Sequence, residues 1–269
     1  MPTLPYKMIN FLHRCYAHLQ SLIMMKIFLL ALAAIMITGT CFSQASATGV
    51  LQKMYSAYKG KWYKVLTYQD VIERYHHDSL TRVDSAYCTT VFPDLSRVDY
   101  GSIARGNAEI ARSDSSFSFR RGKLFRSRKA EGDPVAFLDG VAYFNPFDTL
   151  TSQVQALGIN LQKFYQTTWQ GAPVYVIGAS SDGEKANQLW IDKQKLVPVR
   201  LLLYSDNQND EYRFDNYIPL GKAWKATTTY SYGNGELLFK ETVFNCKVGT
   251  PLKEGFFNLR QFGEWHWAN

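Results

Sequence analysis

Apolar side chains recur at helical spacing at Leu51, Met54, Tyr55 and Tyr58, ahead of Lys59-Gly60-Lys61. That spacing predicts one amphipathic helix of about ten residues. From Trp62 the pattern changes to alternation, which predicts strands over 65–75, 84–91, 96–100, 108–112, 116–120 and 123–127. These segments are short and separated by charged or turn residues, so they read as consecutive antiparallel strands. Asp133-Pro134 and Asn145-Pro146 then bracket an apolar stretch with Phe137, Leu138, Val141, Tyr143 and Phe144, predicted as a short helix or a loop over the sheet. Residues 148–157 have a helical pattern that stops at Gly158. Alternation returns over 164–169, 173–177, 188–192, 197–204, 211–217, 224–232 and 237–246. Gly233-Asn234-Gly235 marks a hairpin, because Gly and Asn accept the positive φ angles such turns need.

The order is helix, strands, a helical interruption, then more strands. It predicts an α+β, β-dominated fold: one curved antiparallel sheet with helices packed on one face. Aromatic residues make up 15% of the chain. A sheet lined by Tyr and Phe and covered by two or three helices leaves space for an apolar cavity.

The segment before the helix has a different character. Lys26 precedes an apolar run from Ile27 to Ile37, followed by small and polar residues ending in Ala45-Ser46-Ala47. A basic residue, a short apolar run and an A-x-A site make up a secretory leader, and the run is far short of the roughly 20 residues that span a bilayer. Residues 1–47 are therefore expected to be an N-terminal extension and signal peptide, with the true start at Met24 or Met25. Cleavage is expected after Ala47, with a site near Gln44 as the alternative, leaving residues 48–269 as one exported domain. Cys41 follows the run as a lipidated cysteine would, but Thr38 and Thr40 stand where a lipobox has Leu and Gly or Ala. Lipid attachment there is the lesser alternative.

Removing residues 1–47 takes away Lys7, Arg14 and Lys26 and no acids. Basic residues fall from 30 to 27 against 23 acidic ones, and the net charge falls from +7 to +4. Much of the basic character thus belongs to the leader, which leaves little argument for a nucleic-acid partner. Cys88 and Cys246 remain; export permits a disulfide between them, and two buried free thiols are the alternative.

The stretch Gln188-Leu-Trp-Ile-Asp-Lys-Gln-Lys-Leu-Val-Pro-Val-Arg200, then Arg213-Phe-Asp-Asn-Tyr217, Gly221 and the closing Pro251-Leu252 to Phe257, resembles the periplasmic lipoprotein-carrier family (LolA/LolB-like). Phe92-Pro93-Asp-Leu-Ser-Arg-Val-Asp-Tyr100 and Ser113-Asp-Ser-Ser-Phe-Ser-Phe119 fit its strand-turn-strand layout. The resemblance covers most of residues 50–258. It implies a strongly curved, incomplete β-barrel closed by a few helices, which binds acyl chains between them. It also implies a lipid or lipidated-protein partner in the cell envelope, in the periplasm or at the periplasmic face of the outer membrane, and no reaction. The founding carriers place an arginine before the proline of the first strand turn, where it latches the helical lid; this chain has Phe92 before Pro93.

The expected cavity lining is the alternating apolar and aromatic set Val174, Val176, Trp190, Leu201, Leu203, Tyr230 and Tyr232, with ordinary core packing as the alternative for each. Arg120, Arg121, Lys123, Arg126, Arg128 and Lys129 surround a predicted hairpin at Gly122. They can contact anionic headgroups or an acidic envelope protein, or be the solvated charges that keep an edge strand from aggregating. His76-His77-Asp78 reads as a solvated turn, since neighbouring strand residues point to opposite faces. No HExxH, GxSxG, P-loop or CxxC occurs, so no cofactor, metal site or catalytic residue is expected. The rival reading is an envelope scaffold with a filled core. A hydrolase would require polar groups converging on one pocket.

Overall fold

The computed structural model describes residues 46–112, 114–129, 136–206 and 208–268. The leader and Cys41 lie outside them. Helix α1 (Ala47–Tyr58) buries Val50, Leu51, Met54, Tyr55 and Tyr58, the stripe read from the sequence. Ser46 caps it: the hydroxyl accepts the Gly49 N–H at 3.1 Å, satisfying one of the free donors at a helix start. Ala47 is itself in the core, 1% exposed.

Thirteen strands follow: β1 (Val65–His76), β2 (Ser79–Val91), β3 (Leu95–Tyr100), β4 (Ala108–Arg112), β5 (Ser115–Arg120), β6 (Lys123–Lys129), β7 (Phe164–Trp169), β8 (Ala172–Ile177), β9 (Gln188–Asp192), β10 (Pro198–Tyr204), β11 (Asn209–Leu220), β12 (Ala223–Gly233) and β13 (Glu236–Val248). Every predicted strand is present, most with bounds shifted by a few residues. Two meanders, β1 to β6 and β7 to β13, are joined where β1 pairs with β13, so β6 and β7 are the free edges of one antiparallel sheet. Tight turns set the register. His77-Asp78, Arg121-Gly122 and Asn234-Gly235 all have positive φ, the geometry of two-residue hairpins whose twist matches the flanking strands. His77-Asp78 is accordingly the turn and His76 the last residue of β1, with His77 exposed beside Glu236.

The connection between the two edge strands forms a lid. Turns of 3₁₀ helix at Ala136–Asp139 and Val141–Phe144 lead into helix α2 (Phe147–Ala156), where the sequence predicts a short helix or loop and then a helix. Lid, α1 and the inner sheet face share one core that includes Leu51, Met54, Leu150, Val154, Ile177, Leu189 and Leu201. Gly140 joins the two 3₁₀ turns at φ 120°, and a Cβ there would fall inside the Trp62 indole. Tyr143 packs on Tyr58 and Trp62, and the Tyr55 hydroxyl donates to the Asn145 carbonyl at 2.7 Å.

On the outer face, residues 250–268 run back as a strap. Phe257, Leu259 and Phe262 pack on Ala108, Ile110 and Phe119. Arg97, 2% exposed, lies between the Phe256 and Phe262 rings at 4.5 and 4.6 Å. It donates to Asp99 at 2.8 and 2.9 Å and to the Phe256 carbonyl at 3.1 Å. His266 Nε2 lies 3.1 Å from the same carboxylate. Burial alone would raise the Asp99 pKa, but His266 and Arg97 outweigh it and hold the group below its ordinary range. Trp265 and Trp267 pack on Phe256 and Tyr87 and so anchor the strap. Replacing the α1 cap, Ser46→Ala, is expected to lower stability by about 1 kcal/mol, read as a reduced urea midpoint with an unchanged slope.

Candidate functional site

Between the lid and the inner sheet face lies a cavity of about 1120 Å³. Phe92, Phe137, Leu138, Val141, Leu157, Tyr212, Phe214 and Tyr217 give it apolar walls. Tyr212 and Phe214 face inward by alternation, and Asn216 at φ 53° interrupts the phase so that Tyr217 joins them. The Tyr217 hydroxyl donates to the Pro198 carbonyl, which satisfies its polar tip. Arg128 and Glu109 form an ion pair at 3.2 Å on the wall nearest the β6 edge.

The floor is polar. Lys225 of β12 is 8% exposed and pairs with the half-exposed Asp139 of the lid at 2.8 and 2.9 Å. Burial would lower the Lys225 pKa, yet Asp139 and Glu241 more than offset it, and the ammonium is held above its ordinary value. Glu241 of β13 sits beside it and pairs across the sheet with Thr229 and Ile72. Burial pushes the Glu241 carboxyl up to about 7, against the attraction of Lys225. Asp70 of β1 lies behind the lining, hydrogen-bonded to Glu241, and is also raised by burial. Its Oδ2 accepts the Cys88 thiol at 3.4 Å. Cys88 and Cys246 are free thiols, both pushed up by burial. The Lys225 ammonium also lies 5.3 Å from the centre of the Tyr68 ring.

None of the seven lining residues expected from the sequence lines this cavity, and the structure divides them between two faces. Leu201 and Leu203 belong to the inner core, with Leu201 between Leu189 and Tyr212. Val174, Val176 and Trp190 form a separate cluster with Tyr165, Trp169 and Val199. The register links Val176, Trp190, Arg200, Arg213 and Tyr230 across one face, and Tyr232 shares that face with Tyr230. There Arg200 stacks on Trp169 and Trp190 at 4.3 and 4.8 Å, and Arg213 on Tyr232 at 4.4 Å. Alternation says which residues of a strand share a face; it does not say which face is inward. The basic residues also disperse. Arg120 stacks on Phe125 at 4.7 Å, and Arg121 lines a smaller cavity of about 550 Å³ beside Trp265. Lys123, Arg126, Arg128 and Lys129 lie along the fully exposed β6.

The residues that sequence reasoning missed are Asp70, Asp139, Lys225 and Glu241. The available signal was ionisable side chains in phase with large apolar ones: Asp70 shares the phase of Tyr68 and Ile72, and Glu241 that of Phe239 and Val243.

An unclosed antiparallel sheet with a lid over one face and a cavity beneath it is the architecture of the LolA/LolB-like open barrel. Comparison with solved structures shows the same fold. A protein of the DUF1329 family from Desulfovibrio piger superposes with a TM-score of 0.55, at 10% identity over 80% of this chain and 97% of that one. A LolA superfamily protein from Nitrosomonas europaea gives 0.51, at 11% identity over 80% and 98%. A putative outer membrane lipoprotein-sorting protein domain from Vibrio parahaemolyticus gives 0.49 at 16% identity. The first two establish the fold. No protein-family model matches the chain, and no curated protein matches it. Among the described residues no helix is long and apolar enough to cross a membrane.

Two outcomes follow from the floor. A carboxyl raised from 4.5 to about 7 in the folded state favours folding when protonated, and that contribution is lost as pH rises through 7. Glu241→Gln is therefore expected to be more stable than the parent at pH 8, by up to about 3 kcal/mol, with the difference vanishing near pH 4; thermal melts across that range read it. Asp139→Asn breaks the one ion pair found between lid and floor among the described residues. Amide exchange over residues 137–144 is expected to rise at least about tenfold, and global stability to fall by roughly 3 kcal/mol because the buried Lys225 loses its main partner.

Proposed function

We propose that this is an exported protein of the cell envelope that binds a hydrophobic ligand, the acyl chains of a lipid or lipoprotein, and takes part in lipoprotein or lipid traffic toward the outer membrane. The observation that carries this reading is the lidded cavity of about 1120 Å³ with aromatic and aliphatic walls. It exceeds the 300–1,000 Å³ typical of small-molecule pockets. Each methylene moved from water into such walls contributes about 0.8 kcal/mol. A scaffold with a filled core would have no such space. Lys225–Asp139 takes the lid-holding part that the founding carriers give to an arginine.

Entry is by the open edge. The exposed basic strand β6 borders the cavity at Arg128, and each basic side chain near an anionic bilayer adds about 1 kcal/mol of attraction. Peripheral contact with a membrane, or with an acidic envelope protein, would then deliver the ligand beside its site. Polar groups do converge on the floor, the condition set for a hydrolase. Burial keeps the Cys88 thiol protonated, and among the described residues no histidine lines the cavity. The floor is a binding surface. Removal of the leader ahead of Ser46, near Gln44, leaves the α1 cap and Ala47 in place.

Native mass spectrometry of the protein purified from the envelope, with organic extraction, tests the reading. A phospholipid or acylated species displaced by added lipid is expected, with an intact mass that starts ahead of Ser46. A protein that carries nothing and takes up no fluorescent fatty acid would sink it.

A further inference from the structure

The smaller cavity, of about 550 Å³, lies on the outer side of the sheet beside the C-terminal strap. Two turns border it. The 3₁₀ turn Ile103–Arg105 leads into Gly106 at φ 62°, and the β5–β6 hairpin turns through Arg121 and Gly122 at φ 52° and 76°. These turns are locked together: the Gly122 N–H donates to the Gly106 carbonyl at 2.8 Å, and the Arg121 N–H to Asn107 Oδ1 at 3.1 Å. A Cβ on Gly106 would lie 2.4 Å from the Gly122 nitrogen, so the close approach depends on glycine. Arg105 and Arg121 are thereby fixed on adjoining turns at the cavity, and neither guanidinium has an ion-pair or hydrogen-bond partner among the described residues. No acid lines the cavity among those residues. The Asp99 carboxylate is already matched by Arg97 and His266, and Glu264 is exposed to solvent outside the lining. Residues 105–129 hold eight basic and two acidic residues, whereas the rest of residues 48–269 holds 19 basic and 21 acidic. The positive charge of the domain is thus concentrated in the segment that carries these turns, where it draws anions. From two unpaired arginines on locked turns beside an acid-free cavity, we infer that this cavity binds a phosphate group, carried by a lipid head or by a small soluble molecule.

The backbone of the turns offers no free donors. The Arg105 and Gly106 N–H groups donate to the Ser102 and Ile103 carbonyls, both at 3.0 Å, and those of Arg121 and Gly122 are used in the lock. Recognition therefore falls to the guanidinium groups, whose planar forks match phosphate oxygens. A carboxylate, with two oxygens, is served by one fork; a phosphate presents three and engages both arginines. The volume lies within the 300–1,000 Å³ of ordinary small-molecule pockets, so the rest of a head group fits beside Phe262 and Trp265. This cavity is separate from the one beneath the lid, although Arg97 borders both. It rests on the acyl-chain reading only for the lipid as one source of the phosphate.

The test titrates the mature protein with inorganic phosphate and glycerol phosphate, following the amide resonances of Gly106 and Gly122 and the indole resonance of Trp265, and measures cosedimentation with phosphatidylglycerol vesicles. Saturable shifts of those resonances are expected in the unsubstituted protein. Arg105→Gln combined with Arg121→Gln is expected to lower affinity at least about tenfold. Arg126→Gln combined with Lys129→Gln removes the same charge from β6 outside the cavity lining and is expected to lower it less than about twofold. All four side chains are exposed, so both variants are expected to keep the thermal midpoint of the parent. Binding of the soluble phosphates but not of vesicles, lost in the first variant, assigns the site to a soluble phosphate ester. Vesicle binding lost in the first variant and kept in the second assigns it to a lipid head. Equal losses in the two variants, or neither shifts nor cosedimentation in the parent, overturns the inference. Uptake of a fluorescent fatty acid reads the larger cavity separately: its failure removes the acyl-chain reading and leaves the phosphate site standing.

Discussion

The pairing of β1 with β13 holds the molecule together. Leu66 lies opposite Val248 and Arg74 opposite Phe239, so the first strand of the domain and its last form the seam between two meanders that otherwise share no ladder. Loop-closure entropy opposes such a contact, and contacts of this range form slowly. Hydrogen bonds along the seam give the inner face its continuity. Without them the lid would cover two separate sheets and enclose nothing.

The hydrogen-bonded carboxyl pair at the base of the cavity lies on that seam. Asp70 comes from β1 and Glu241 from β13, with Lys225 one strand further on. Apolar residues at these places would stabilise the fold more, since burying a carboxyl opposes folding unless it is neutralised or paired. The surroundings are otherwise consistent at every level, from helix cap to hairpin turn. Local conflict of this kind concentrates where a protein binds something. The outer face shows the contrasting treatment of charge: Arg97 is fully buried yet has donors matched to Asp99 and to the Phe256 carbonyl.

Local pattern made the strands and turns legible. Strands β4, β7 and β9 run over the residues that alternation marks, and Asn234-Gly235 turns where its residue types require. What the sequence could not convey is phase. Val176 and Leu201 look alike as alternating apolar positions, but one faces outward toward Trp190 and the other inward toward Leu189. Nor do single segments reveal pairing at a distance: Asp70 and Glu241 belong to strands at opposite ends of the chain. The strap was equally hidden, because Phe256, Phe262 and Trp265 show neither period and acquire their order from Arg97.

Strands β6 and β7 follow each other in sequence and never pair, so the ring of strands has a gap spanned by the lid. A closed barrel fixes its interior through strand number and stagger, and can enlarge only by breaking ladder hydrogen bonds. Here the two edges can move apart while every ladder bond stays intact. The size of the enclosed space is therefore governed by the give of the covering segment rather than by the circumference of the sheet.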